Sequence, residues 1–70
     1  MMLYRYEDGS YKFSSMDGEY ARNASRAEGK DYLNKTCAKL GRPELYLQIL
    51  EDNLTGFMPS VLVECLGSGK

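Results

Sequence analysis

Apolar residues recur at helical spacing in the middle of the chain, between Ser25 and Gly41. Leu33, Cys37 and Leu40 are separated by four and three residues, whereas the positions between them are mostly polar. This spacing places the three side chains on one side of a helix and leaves the other side in water. The pattern predicts a helix over residues 26–40.

Both ends of this predicted helix carry local signals. Ser25 followed by Glu28 is a capping box. In this motif the serine side chain accepts a hydrogen bond from the backbone amide of the glutamate, and the glutamate side chain accepts one from the backbone amide of the serine. Gly41 supplies the left-handed conformation that commonly ends a helix, and Pro43 follows two residues later. Gly29 opposes the prediction, because glycine costs about 1 kcal/mol against alanine within a helix.

A period of two residues governs the first part of the chain. From Tyr4 onward in residues 3–7, and throughout residues 10–14, aromatic side chains alternate with charged or polar ones. Asp8-Gly9 between the two segments is typical of a two-residue hairpin turn. That turn would place Tyr6 opposite Tyr11 and Tyr4 opposite Phe13. We therefore expect these four rings on one face of a sheet, as core beneath the helix.

The alternative for these rings is an exposed aromatic face. Exposed rings on a sheet stack bases in some single-strand binders, and they also form protein-binding patches. If several of the rings were exposed, we would expect a protein-binding patch at least as readily as one for nucleic acid.

A second Asp-Gly pair predicts another reversal of the chain. Asp17-Gly18 precedes a short segment, residues 19–22, that reads as a third strand. In the corresponding hairpin, Ser15 would lie opposite Tyr20, and the Tyr20 ring would join the aromatic face. Residues 3–22 are thus expected to form a hairpin or a three-stranded meander.

The second half of the chain is more ambiguous. Leu45, Leu47 and Ile49 alternate like a strand, although Pro43 and Gly56 suit the two ends of a helix over residues 43–54. We interpret this segment as a strand, with the helix as the rival. Residues 57–66 combine β-branched and apolar side chains and predict a further strand, with Pro59 at its edge or start.

These elements together predict an α+β fold. Its two layers would be an antiparallel sheet, built from the N-terminal hairpin or meander and the C-terminal strands, and one central α-helix packed against it. Seventy residues suffice for a single domain, which we assign to residues 1–66. Residues 67–70 have the composition of a flexible tail.

Charge is distributed unevenly although the net charge is only −1. Residues 22–42 carry six basic and two acidic side chains, whereas the segments before and after them are net acidic. The predicted partner-binding residues are these six: Arg22, Arg26, Lys30, Lys35, Lys39 and Arg42. They could follow a phosphate backbone, but a pI near 5.3 is low for a nucleic-acid-binding domain, and a solvated helix face is the stronger interpretation.

Candidate catalytic chemistry is sparse in this sequence. There is no histidine, which removes the commonest general base and metal ligand. Cys65 lies beside Glu64, but no activating base or strong positive charge accompanies it, so we expect Cys65 and Cys37 to be buried thiols. We predict no metal, no cofactor and no enzymatic activity.

The expected function is that of a small non-catalytic interaction module. Such an adaptor or inhibitor would cover a surface of a larger protein or nucleoprotein, as small proteins of phages and mobile elements often do. The alternative is a nucleic-acid-binding module that uses the basic segment 22–42. The chain has no apolar run of membrane-spanning length, so we expect a cytoplasmic protein, and an exposed C-terminal strand would favour a homodimer.

Overall fold

Four short strands form one antiparallel sheet, and three helices follow or interrupt them. The computed structural model describes the backbone of residues 1–68 and the side chains of residues 1–64. The elements are β1 (Met2–Arg5), β2 (Tyr11–Ser14), β3 (Ala21–Ala24), α1 (Arg26–Lys39), α2 (Glu44–Glu51), β4 (Gly56–Phe57) and α3 (Met58–Ser68). The strand order is β3-β2-β1-β4.

The helices share one hydrophobic core with the sheet. Its buried residues come from the strands (Leu3, Tyr11, Phe13 and Ala24) and from the helices (Leu33, Cys37, Leu45, Ile49, Met58, Val61 and Leu62). The predicted α+β architecture, with an antiparallel sheet packed against helix, is confirmed. Three helices rather than one build the second layer, because two segments predicted as strands are helical.

The first hairpin departs from the predicted register by one residue. The Tyr6 amide donates to the Ser10 carbonyl at 2.9 Å, and the Gly9 amide donates to the Tyr6 carbonyl at 3.0 Å. These bonds close a three-residue loop, residues 7–9, with Gly9 at positive φ. Tyr4 consequently pairs with Lys12, and not with Phe13 as predicted.

This one-residue shift reverses the two faces of β1. Side chains alternate along a strand, so a shift of one residue moves every side chain to the opposite face. Leu3 and Arg5 now lie beside Phe13 and Tyr11 on the helix side of the sheet. The prediction that all four rings lie on one buried face was wrong, since only Tyr11 and Phe13 are in the core.

The second hairpin has the predicted register. The Ser15 amide donates to the Tyr20 carbonyl at 2.9 Å, so these two residues lie opposite each other. The strand itself is displaced along the chain and runs from Ala21 to Ala24. Tyr20 precedes it and is exposed, so its ring contributes neither to the core nor to the cluster described below.

Helix α1 begins and ends where its local signals predict. The Ser25 side chain accepts a hydrogen bond from the Glu28 amide at 3.1 Å. The Glu28 carboxylate, however, binds Arg22 instead of returning to the Ser25 amide, so only half of the capping box forms. Gly41, at positive φ, follows the last turn and donates its amide to Ala38.

Residues 44–51 form helix α2, so the strand interpretation of this segment was wrong and the rival was correct. Leu45 and Ile49 are four residues apart and both are buried, which is the pattern of an amphipathic helix. Leu47, which an alternating strand would place beside them, is 60% exposed. The helix ends at Glu51, and Asn53, just beyond the cap residue Asp52, adopts a positive φ of 52° in the position usually taken by glycine.

The predicted C-terminal strand is also wrong, because residues 58–68 form helix α3 and only Gly56–Phe57 pair with β1. Met58, Val61 and Leu62 recur at helical spacing and enter the core. Pro59 lies in the first turn, where a missing amide proton costs nothing. Two residues of the predicted tail belong to α3, and the other two, Gly69 and Lys70, lie outside the described residues.

Candidate interaction surface on the open face of the sheet

The face of the sheet that points away from the helices carries an aromatic row. Across the four strands, Phe57 pairs with Tyr4, Tyr4 with Lys12, and Lys12 with Asn23. Strand partners point to the same side, so these four side chains form one line across the sheet. The alternation along β1 adds Met2 and Tyr6 to this face.

The Tyr4 ring contacts two other rings on this face. The centroid of the Tyr4 ring lies 5.0 Å from that of Tyr6 and 4.9 Å from that of Phe57. The Tyr4–Phe57 pair meets edge to face, with an interplanar angle of 84°. Both arrangements are favourable for aromatic pairs and hold the cluster in one geometry. We call Met2, Tyr4, Tyr6, Lys12 and Phe57 the aromatic face.

Lys12 lies over this cluster. Its ammonium nitrogen is 5.4 Å from the centroid of the Tyr4 ring and 5.9 Å from that of Tyr6. Within the described part of the chain, Lys12 has no carboxylate within 4 Å. The face therefore combines apolar rings with a positive charge that lies above two of them.

The aromatic face is accessible to a partner. Tyr6 is 37% exposed and Phe57 is 39% exposed, although both are large and apolar. The buried residues of all three helices belong to the core on the other side of the sheet. A contiguous cluster of exposed rings is the kind of feature that marks an interaction site, whereas single exposed rings do not.

Sequence reasoning had named these rings but placed them in the core. The error came from the length of the hairpin loop, because Asp8-Gly9 suits both a two-residue turn and the end of a three-residue loop. Arg5 also favoured the wrong register, because that register placed its charge on the wet face, whereas the structure buries it. Phe57 could not be found in this way, since it joins the cluster through a two-residue strand far along the chain.

The predicted partner-binding residues do not form one surface. Arg22 lies on β3, and its guanidinium binds Glu28 at 2.6 Å. Lys35 binds Asp31 at 3.0 Å, and Arg42, beyond the end of α1, forms an ion pair with Glu44. Half of the six basic side chains are thus matched by a carboxylate.

The other basic residues lie on different sides of α1. Arg26 and Lys30 are adjacent turns of one stripe, and Lys35 and Lys39 form another. Arg26 and Lys35 are nine positions apart, which rotates the second stripe by about 180° from the first. The helix therefore presents two separate pairs of basic residues, and neither reaches the aromatic face, which lies on the far side of the sheet.

Exposed hydrogen bonds account for the shifted pKa values in the protein. Hydrogen bonds from Ser10 lower the pKa of Asp8, and those from Ser15 and the Glu19 amide lower the pKa of Asp17. The Arg22 side chain lowers the pKa of Glu28, and Arg42 lowers that of Glu44. These four carboxylates are fully charged at neutral pH.

A cleft of about 560 Å³ lies between the end of α2 and helix α3. Its lining combines apolar and polar side chains: Gln48, Asp52, Asn53, Leu54, Thr55, Val61 and Glu64. Among the described residues, no group of three histidine, cysteine, aspartate or glutamate side chains is placed to hold a metal ion. Among the described residues that line the cleft, none is a cysteine, a histidine or a lysine.

The two cysteines have different standing in the structure. Cys37 is fully buried in the core between α1 and its neighbours, as predicted. The side chain of Cys65 lies outside the described residues, so the prediction for Cys65 is not tested.

No family model matches this chain, and no curated protein or solved structure matches it either. Among the described residues, no helix has the length and apolarity needed to cross a membrane. The candidate function therefore has to be argued from the surface itself.

Proposed function

We propose that the protein is a small non-catalytic interaction module, an adaptor or inhibitor, that binds a partner protein through its aromatic face. The observation that carries this proposal is the cluster of Tyr4, Tyr6 and Phe57 on the open side of the sheet. Aromatic residues are enriched in the binding cores of protein interfaces, where a few of them supply most of the affinity.

The rigidity of the cluster supports the same function. Tyr4 and Phe57 belong to paired strands, and Tyr4 contacts both other rings, so little side-chain freedom remains to be lost on binding. Lys12 adds a charge that would attract a partner with an acidic rim around an apolar centre. A protein that only blocks a surface or bridges two surfaces needs no catalytic residues.

Nucleic acid is the second candidate partner, and Lys12 above two rings is the observation that favours it. A base could stack on Tyr4 or Tyr6 while a phosphate meets the ammonium group. A long phosphate backbone would need further cations nearby, yet the basic pairs of α1 lie on the other side of the sheet. We therefore rank a partner protein above nucleic acid as the ligand of the aromatic face. We further propose that the protein acts in the cytoplasm.

Site-specific photocrosslinking in cells tests this proposal. A photoreactive phenylalanine analogue replaces Tyr6 on the aromatic face in one strain and Lys39 on the outer side of α1 in another. We expect discrete protein adducts from position 6 that persist after nuclease treatment. Adducts from position 39 alone would contradict the proposal, and nuclease-sensitive adducts would favour the nucleic-acid candidate.

A second copy of this chain is a further outcome of the same experiment. A crosslinked homodimer from position 6 would show that the aromatic face joins two copies. The predicted dimer required an exposed C-terminal strand, but that segment is helix α3. The mass of the adduct distinguishes the homodimer from a different partner.

A further inference from the structure

Arg5 is a buried charge on the helix side of the sheet, with only 6% of its surface exposed. Its guanidinium donates to the Tyr11 hydroxyl at 3.3 Å, to the Asn53 side-chain oxygen at 3.0 Å and to the Leu54 carbonyl at 2.8 Å. All three acceptors are neutral. They satisfy the hydrogen-bonding geometry of the group but do not balance its charge.

No carboxylate of the described residues lies within 4 Å of Arg5. A buried charge without a counter-ion is costly, which is why such groups are usually paired. The three hydrogen bonds use Nε and Nη1, and Nη2 makes none within the described residues. Since no buried polar side-chain atom is left without a partner, Nη2 must keep contact with solvent.

Nη2 of Arg5 and a second guanidinium group lie beside the same residue, Gly9. At Gly9, the point that a side-chain Cβ would occupy is 3.8 Å from Nη2 of Arg5 and 2.9 Å from Nη1 of Arg26. Two positive groups therefore approach one small space beside the hairpin loop. The space is open only because residue 9 has no side chain.

The carboxylate of Asp8 on this loop is engaged by another partner. Both the amide and the hydroxyl of Ser10 donate to the Asp8 carboxylate, at 2.9 Å and 2.6 Å. The positive charge of Arg26 helps to lower the pKa of Asp8, but the two charged groups do not come within 4 Å of each other. The two guanidinium groups are thus left with unused donors and an excess of positive charge.

We propose that Arg5 and Arg26 form an oxyanion-binding site beside Gly9, for a phosphate or carboxylate group that bridges the two. Guanidinium groups suit such a ligand because their parallel N–H donors match the spacing of its oxygens. Arg5, held by its three hydrogen bonds, is preorganised, and Arg26 at the start of α1 completes the site. This site does not depend on the function proposed for the aromatic face.

The test is titration of the full-length protein with three sodium salts at constant ionic strength: phosphate, acetate and chloride. The chemical shift of the Gly9 amide reports binding at the site. We expect saturable binding of phosphate or acetate and none of chloride. Arg26→Gln should weaken binding about tenfold, because one charge-assisted donor group is lost. Lys39→Gln removes the same charge elsewhere on α1 and should change binding less than twofold.

Asp8→Asn provides a change in the opposite direction. It removes a negative charge that acts on Arg26, so binding should become tighter. Because phosphate carries more charge than acetate at neutral pH, phosphate should bind more tightly, and saturable binding of acetate alone would indicate a carboxylate of a partner. Equal shifts with chloride, or equal losses in the Arg26 and Lys39 variants, would overturn the proposal.

Discussion

The ring of Tyr11 lies directly against the backbone of Gly29. A Cβ atom at residue 29 would be 2.2 Å from Cγ of Tyr11 and 2.7 Å from its Cβ, far inside contact distance. Helix α1 therefore rests on the sheet at the only kind of residue that permits so close an approach. The glycine that weakens the first turn of α1 is what allows the helix to pack.

Gly29→Ala should destabilise the protein by about 1–3 kcal/mol, because the new methyl group must displace a ring that is held in the core. Helix propensity alone predicts the opposite, a gain of about 1 kcal/mol. Urea unfolding followed by circular dichroism measures the difference. Asn34→Ala, at an exposed position of the same helix, is the control and should be neutral or slightly stabilising. A more stable Gly29→Ala variant would contradict the close contact.

Asn53 combines two roles that substitutions can separate. It adopts positive φ at the end of α2, and its side chain accepts a hydrogen bond from the buried Arg5. Asn53→Gly keeps the backbone conformation and loses the acceptor, whereas Asn53→Ala loses both. Asn53→Asp keeps an acceptor and adds a countercharge. We expect stability to fall in the order Asp, Asn, Gly, Ala.

Each step of the Asn53 series should be of the order of 1 kcal/mol, with Ala lowest by about 2 kcal/mol or more. Thermal unfolding at neutral pH ranks the four proteins. If the Gly variant equals the wild type, the hydrogen bond to Arg5 contributes nothing. If Ala equals Gly, the strain at positive φ is unimportant.

The cap of α1 makes a smaller and local contribution. Ser25→Ala removes the side chain that accepts from the Glu28 amide, and should cost about 1 kcal/mol. Ser25→Asp supplies another acceptor and should restore most of that loss. Chemical denaturation of the three proteins tests the order, and an Ala variant as stable as the Asp variant would remove the role of the cap.

Acid should weaken the fold through the exposed carboxylates. The pKa of Glu28 is lowered from its ordinary value of 4.5 by the Arg22 side chain, so the folded state binds this proton less readily than the unfolded state. Its stabilising contribution is complete above pH 4.5 and is lost as the pH falls through the lowered pKa. Asp8, Asp17 and Glu44 follow the same sign.

Glu28→Gln isolates one of these contributions. The variant should be less stable than the wild type at pH 7, and the difference should shrink below pH 4. Urea midpoints measured across pH 2.5–7 provide the comparison. A difference that stays constant over this range would show that the Arg22–Glu28 ion pair contributes no pH dependence.

The parts of the fold that could be predicted are those with local causes. Ser25 indicates the start of helix α1 and Gly41 its end, and both residues affect only the backbone beside them. The second hairpin has the register that Asp17-Gly18 indicates. In these segments the residues that determine the conformation lie within a few positions of one another.

The parts that could not be predicted depend on contacts distant in sequence. Leu45, Leu47 and Ile49 fit a strand or a helix, and only packing of Leu45 and Ile49 against the core decides between them. In α3, burial of Val61 and Leu62 outweighs the strand preference of the β-branched residues. Arg5 is buried although charged, because Asn53 accepts its hydrogen bond from 48 residues away.

The candidate site illustrates the same limit. Tyr4 and Tyr6 were recognised as candidate stacking residues, but one extra loop residue decided which face they occupy. The six basic residues were chosen for their closeness in sequence, whereas the helix and its ion pairs divide them. Proximity along the chain thus did not place the six residues on one surface, and their role in partner binding stays a prediction.

The most direct test compares two double variants for binding to a partner captured by crosslinking. Tyr6→Ser with Phe57→Ser removes two exposed rings of the aromatic face, and Lys35→Gln with Lys39→Gln removes two charges of α1. Isothermal titration with the purified partner should show at least a hundredfold weaker Kd for the first pair and less than a threefold change for the second. The reverse order would contradict the account and place the interaction on the basic helix.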